Sequence, residues 1–447
     1  MGAMTGPARG LIGLALALIL SFAPAASRAQ SLIRDAEIEY ALKRLTQPLA
    51  VAAGLSPERV RVMVLQDSSL NAFVLDSQTV MVHSGLLLRL ESAAELQAVI
   101  SHELAHIANG HITRRLSNMR SAGSAAAMGM LMSLAVAAAG HADAGAGIAM
   151  GSSSTAQRLF FAHTRAEEAS ADQAGARYMA RAGISPQAMV KVLEIFRGQE
   201  ALSQSRQDPY IRTHPLNADR LRNARGYASA YSGAVQSDTQ ADYWFARARG
   251  KLGAFLQNPR YTLRRAEKDK TAVGMMRRAV AWHRTPDARR AMAEIARLEA
   301  ARGSDPFVQE LKGQILLESR QFGPAVQAYA RAVQMAPKEP LILAGYGRAL
   351  LALDRPAESR KALAALEKAR ARDPRDPRML RDLAVAYART GNNGMASVAT
   401  AERYAVAGRM KTAAVHARRA EGLLPRGSPG WLRADDILAA AEKLKQR

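Results

Sequence analysis

At 447 residues the chain is longer than one ordinary core, so two or three domains are expected. It has no cysteine, which excludes disulfides and a lipid-modified cysteine, and 62 Lys+Arg against 39 Asp+Glu leave a net charge of +23. Such an excess calls for anionic partners; in a cytoplasmic chain nucleic acid would lead, but the N-terminus argues for export.

Arg9 is followed by an uncharged run from Leu11 to Phe22 and by small residues at Ala25 and Ala29. This is the pattern of a secretory signal over residues 1–29, cleaved before Ala26 or Gln30. The apolar run is short for a spanning helix, so a protein of the bacterial periplasm is expected. Three strand candidates follow, at residues 60–66, 72–75 and 79–83, and an edge among them suits pairing with an extended substrate.

Residues 93–109 then read as a helix. Leu96, Val99, Ile100, Leu104 and Ile107 form an apolar stripe at spacings of three and four. Within that helix lies the pentad His102-Glu103-Leu104-Ala105-His106. Positions four apart sit about 40° from each other around a helix, so both imidazoles can reach one ion. Glu103 projects beside the open coordination position, where it can take a proton from water that zinc has acidified to a pKa of roughly 7. His111 is nine residues beyond His102 and, on a continuing helix, faces away by about 180°. A metzincin would need Gly at position 109 and His at 112, where this chain has Asn109 and Ile112.

Residues 121–157 are rich in Ala, Gly, Met and Ser, with Asp143 the one charged side chain before Arg158. They are expected to form a mobile helical cover beside the metal, methionines letting it repack against varied chains. A second helix is expected over 155–182, ending at Gly183, with Ser185-Pro186 starting another. It carries Glu168-Ala169-Ser170-Ala171-Asp172. Glu168 and Asp172 share a face, so one carboxylate can complete a His/His/Glu site while the other supports a ligand from behind. Glu167 is the competing ligand, off the Asp172 face. His214, in Thr213-His214-Pro215, is held extended by the following proline and can point into a cleft.

Together these residues resemble the HtpX-like and CAAX-prenyl-protease-like zinc metallopeptidases. The resemblance rests on the pentad, the Glu168/Ala171/Asp172 motif and His214-Pro215 followed by Arg220, and it extends to Asn71-Ala72-Phe73 and Gly85-Leu86. It implies one zinc held by His102, His106 and Glu168, Glu103 as general base, and Asp172 and His214 as auxiliary groups. Two roles stay open for His214: a latch that visits the open metal position, or a donor to the oxyanion of the tetrahedral intermediate.

Beyond residues 228–240, where Ala, Ser, Gly, Thr and Gln replace the helical pattern, the chain repeats. Segments starting at Pro306 and Pro340 are 34 residues apart, and Gly313, Ala325, Tyr329, Ala332 and Pro337 sit at tetratricopeptide offsets. Gly347 repeats Gly313, and a third unit begins near Pro377 after three extra residues. The fold expected is therefore α+β and mostly helical: a metallopeptidase domain over 30–232 and an α-solenoid of helical hairpins over 233–447. The solenoid holds most of the charge, with 40 Lys+Arg against 21 Asp+Glu in residues 241–447. Acidic polypeptides or an anionic membrane surface are its expected partners, not nucleic acid. The order of signal, peptidase and repeats is similar to periplasmic peptidases of outer-membrane assembly. That resemblance implies cleavage of misfolded or stalled outer-membrane proteins and contact with the β-barrel assembly machinery. The rival reading is a non-enzymatic chaperone or scaffold whose metal site is structural, with His214 as a permanent fourth ligand.

Overall fold

The structure is a computed structural model that describes residues 31–111, 113–114, 164–203, 206–216, 218–231 and 238–445. The expected signal at 1–29 and the expected cover at 121–157 lie outside these residues, as does the start of the second expected helix. No helix among the described residues is long and apolar enough to cross a membrane.

The N-terminal half opens with β1 (Ser31–Ile33) and α1 (Ala36–Ala52), whose N-cap Asp35 accepts from the Ile38 N–H at 3.0 Å. Then come β2 (Arg61–Gln66), β3 (Ala72–Val74) and β4 (Thr79–His83), close to the expected strands. β1 was not expected; three residues are too few to show a period of two. The sheet order is β1-β2-β4-β3, with β2 and β4 parallel and the two outer pairs antiparallel. Alternation sends Val62, Val64, Val80 and Val82 into the main core, and Met63, Leu65 and Met81 to the opposite face.

α2 (Ser84–Arg89) follows β4 directly. At Gly85 a Cβ would lie 2.2 Å from the Ser68 carbonyl oxygen, so only glycine fits this entry to the metal helix. That helix, α3 (Ala93–Ala108), is capped by Ser92, and every residue from Glu95 to His106 is buried. An element buried all round is the centre of its domain. α4 (Arg165–Arg181) lies against it, and the approach is close because Gly175 has no side chain: a Cβ there would meet the His102 backbone nitrogen at 3.3 Å. α5 (Gln187–Ile195), the short α6 (Pro209–Thr213) and α7 (Ala218–Ala230) complete this half.

The second half is helical throughout its described length. α8 (Thr239–Leu256), α9 (Pro259–Ala266), α10 (Ala272–Arg284) and α11 (Ala288–Ala301) lead into the hairpins α12 (Pro306–Glu318) with α13 (Phe322–Met335), and α14 (Pro340–Ala352) with α15 (Pro356–Arg372). α16 (Pro377–Arg389), α17 (Asn393–Val406), α18 (Met410–Leu423) and α19 (Pro429–Lys445) continue the stack. Proline stands at the start of α12, α14 and α16, each after an acidic N-cap, Asp305, Glu339 or Asp376, that accepts a backbone N–H. The repeat glycines have a steric reason. A Cβ at Gly313 would stand 2.6 Å from the ring of Tyr329, and one at Gly347 2.6 Å from the Leu366 side chain, so each repeat glycine makes room for a side chain of the helix that follows it. The three extra residues of the third unit are spent in α15, which runs for 17 residues where α13 has 14.

The halves are joined by more than a linker. Phe245, Ala248 and Leu252 of α8 belong to the same core as Leu42, Leu45 and Leu49 of α1. Fully buried Lys251 reaches Asp35 at 2.9 Å, Glu310 at 3.2 Å and Glu37 at 3.3 Å, while Arg247 pairs with Glu37 and Asp305. Further along the solenoid, Arg34 pairs with Asp373, which lies just beyond α15.

Candidate metal centre

α3 presents His102 and His106 one turn apart, and α4 presents Glu168 across from them. His214 arrives from the end of α6, where its own N–H donates to the Tyr210 carbonyl at 2.7 Å and Pro215 holds the backbone extended. α6 is itself tied to the loop before β3 by the Tyr210 N–H to Leu70 carbonyl bond of 3.2 Å. One ligand atom from each of His102, His106, Glu168 and His214 lies within 4.8 Å of all the others, and all four residues are buried. The closest separations are 3.1 Å between the two Nε2 atoms of the His pair, 3.3 Å from His102 Nε2 to His214 Nδ1 and 2.9 Å from His214 Nδ1 to Glu168 Oε1. His106 Nε2 stands 3.4 Å from Glu168 Oε1. Four N and O atoms at roughly 2.0–2.1 Å from a tetrahedral zinc would stand about 3.3 Å apart, so the donor set fits such an ion in type and spacing.

Behind the ligands is a ring of orienting groups. His102 Nδ1 meets Asp172 Oδ1 at 2.9 Å. Arg220 grips Asp172 with two bonds, Nε to Oδ2 at 2.7 Å and Nη2 to Oδ1 at 2.8 Å, and its Nη1 lies 2.7 Å from Glu168 Oε2. The same guanidinium donates to the His214 carbonyl at 3.3 Å, so one arginine ties three site residues from two segments, Glu168 and Asp172 of α4 and His214 after α6. The Tyr210 ring lies against His214, centroids 4.7 Å apart, and Phe196 stacks behind it.

His111 departs from expectation. It was placed facing away, but α3 ends at Ala108, and Gly110 turns the chain with a φ of +67°. His111 Nδ1 therefore comes back to 2.8 Å from His106 Nδ1, on the side of the ring away from the ligand cluster. The Asn109-Gly110 pair is a helix stop, and reading it would have removed the assumption of a continuing helix. Glu167 does not compete with Glu168. It sits in a capping box, accepting from the Thr164 N–H at 2.9 Å, and is turned out of the site. Tyr210 and the role of Arg220 were not legible, because their contacts depend on segments that only the fold brings together.

The site's electrostatics favour positive charge at its centre. Burial works against a charged His102, but Glu168 and Asp172 more than offset it and push its pKa up to about 10. That pull is one a divalent cation answers equally well. His106, desolvated and beside His102, is held down to about 3 despite a hydrogen bond to Glu168. Glu168 and Asp172 are kept ionised against the cost of burial, Glu168 chiefly by His214 and Arg220, Asp172 by Arg220 and His102. Glu103 goes the other way: burial raises its pKa, neither carboxylate oxygen has a hydrogen bond to a described protein group, and His214 Nε2 stands 3.5 Å from Oε1. A carboxylate buried at the ligand cluster with its pKa raised is a proton acceptor of raised basicity.

Residues 37–228 match the model of peptidase family M48. A relative from Vibrio cholerae is 28% identical over 222 residues, and a beta-barrel assembly-enhancing protease of Yersinia pestis is 27% identical over 193. These matches take in 49% and 43% of this chain but 45% and 39% of theirs, so the chain spans less than half the length of these two relatives. A beta-barrel assembly-enhancing protease of Escherichia coli aligns further, 26% identical over 424 residues that cover 93% of this chain and 85% of that one. Residues 37–228 therefore resemble the metalloprotease domain of peptidase family M48, and a helical solenoid follows them.

Proposed function

We propose that the chain is an exported zinc metalloendopeptidase of the periplasm. On this reading it cleaves misfolded or stalled polypeptides in the quality control and assembly of outer-membrane β-barrel proteins. The observation that carries the catalytic part is the convergence of His102, His106, Glu168 and His214 beside the unbonded carboxylate of Glu103. The relatives named above support the outer-membrane setting, and the basic solenoid supports polypeptide or assembly-machinery partners.

His102, His106 and Glu168 would hold the ion, with Asp172 fixing the His102 ring and His111 the His106 ring. When bound, such an ion polarises the scissile carbonyl and acidifies water. Glu103 takes the proton of the attacking water and returns it to the leaving amine. β3 is an edge of the sheet and packs alongside α3, so its free side offers a rail for an extended substrate. Asn71, just before it, buries a side-chain oxygen without a hydrogen bond, an acceptor ready for a substrate N–H.

A second reading draws on His214. A fourth side chain within ligand distance is what a closed, structural site in a non-catalytic chaperone would have. Glu103 weighs against it, since a structural site has no use for a basic carboxylate next to its ligands. The test is metal content and hydrolysis of a short peptide by wild type and Glu103→Gln. The enzymatic reading expects one zinc per chain in both and turnover in wild type alone, down by at least about 10³-fold in the variant. Equal turnover in the two proteins would remove Glu103 from the mechanism.

A further inference from the structure

Where α1 and β2 of the peptidase domain face α8 and α12 to α15, the molecule leaves a groove of about 1210 Å³. Its apolar floor is aromatic: Tyr40 stacks edge-on to Trp244 with centroids 4.8 Å apart, and Phe307 lies 5.1 Å from Tyr40. Its rim is charged, and the charges are not balanced. Four lining acids are already paired with cations, Glu39 with Arg34 at 2.5 Å, Glu58 with Lys43 at 2.6 Å, Asp305 with Arg247, and Asp373 with Arg34 and with Arg61 at 3.7 Å. The fifth, Glu339, is committed to the α14 N-terminus, where it accepts from the Leu341 N–H, and burial pushes its carboxyl up to about 7. Arg44, Lys338 and Arg372 line the groove as exposed cations that no carboxylate pairs with among the described residues. Arg302 is likewise without an acid, resting over the Tyr243 ring at 5.0 Å.

We infer that this groove binds an extended acidic polypeptide segment carrying apolar side chains. The four free cations meet its carboxylates, and the partly buried rings of Tyr40 and Trp244, backed by buried Phe307, take its apolar groups. Charge complementarity selects this occupant. A basic segment is repelled by the rim, and a neutral one leaves four guanidinium and ammonium groups without counter-charges. The inference rests on the reading that the solenoid recognises polypeptides, and it gives that recognition a location shared with the peptidase domain.

The experiment uses the full chain and a labelled peptide of roughly ten residues alternating glutamate and phenylalanine, followed by fluorescence anisotropy at about 0.15 M salt. Its lysine–phenylalanine counterpart is the comparison. Lys338→Glu with Arg372→Glu reverses the rim; Arg418→Glu with Arg419→Glu makes the same change of charge on exposed positions of α18, far along the solenoid. The groove predicts at least about tenfold weaker binding of the acidic peptide by the first pair and less than about twofold by the second. It also predicts no measurable binding of the basic peptide. Equal losses in both pairs overturn the groove while leaving a diffuse basic solenoid as the recognition element. Undiminished binding in both overturns the groove and that element together. Loss of binding to phosphatidylglycerol vesicles in the first pair, with peptide binding intact, overturns it in favour of a membrane surface.

Discussion

His102 and His106 lie on one face of one helix, yet their surroundings drive them in opposite directions, His102 up to about 10 beside two carboxylates that outweigh its burial, and His106 down to about 3 by burial and a second imidazole. Spacing alone made the pair visible in the sequence, because an i, i+4 relation is fixed by the helix whatever surrounds it. What surrounds it was legible only in part. Asp172 could be assigned because it too stands at i+4 from a partner. Arg220 could not, since its grip on Asp172 spans 48 residues of chain. His214 falls between these cases: the proline after it announced a restricted loop, but only the fold puts its Nδ1 at 2.9 Å from Glu168. That proximity is what a latch requires, and we propose the latch rather than the oxyanion donor. His214→Ala is accordingly expected to raise turnover of a short peptide several-fold at matched zinc content, as when a competing ligand is removed from an open position. A fall of about 10²-fold or more in the same assay would instead assign it to the oxyanion.

Among the elements, α3 and α4 carry the site jointly, and their spacing is set by Gly175. This part of the fold was hidden in the sequence: a glycine inside a helix announces only a lowered propensity, and nothing in its neighbours says that another helix backbone lies 3.3 Å from where a Cβ would be. Gly175→Ala sets two effects against each other. Alanine favours the helix by about 1 kcal/mol, and the new methyl pushes α4 away from α3 by a few tenths of an ångström. The unfolding midpoint of the metal-free protein should therefore change little. Zinc affinity, measured by chelator competition, should fall about tenfold, because Glu168 and Asp172 move with α4 while the His pair does not. Unchanged affinity would show that α4 does not set the ligand distances. The repeat hairpins were the most legible elements, since Pro306 and Pro340 mark helix starts and Gly313 and Tyr329 are mutually required by packing. α8 was the least, because its pattern serves the repeats on one side and the peptidase core on the other.

For the whole molecule, charge buried where the halves meet makes stability depend on pH. Glu339 titrates at about 7 in the folded protein against a usual 4.5, burial being the main cause. Between those values the folded chain keeps a proton that the unfolded chain has released, so its contribution weakens as pH rises from about 4.5 to about 7 and is flat above. Glu339→Gln preserves an acceptor for the α14 N-terminus and removes the titration. Denaturant midpoints at about pH 5 and about pH 8 should differ less in this variant than in wild type, and an equal difference would exclude Glu339 as a source. The division into peptidase and solenoid was readable from composition and period. The buried junction of Asp35, Glu37, Lys251 and Glu310 was not, for its members are scattered over the chain and each looks like an ordinary solvated charge.

That junction also orders events in time. α1, which begins at residue 36, packs on α3 and β2 but finds its most extensive partner surface in α8, and its N-terminal acids find their cations at Arg247 and Lys251. A chain emerging N-terminus first thus holds its metal-ligand helix long before the core that positions it can close, and closure must wait for the opening stretch of the solenoid. Proteolytic competence is on this view acquired only once α8 has arrived, and a nascent fragment ending before residue 252 would lack the surface needed to become a protease.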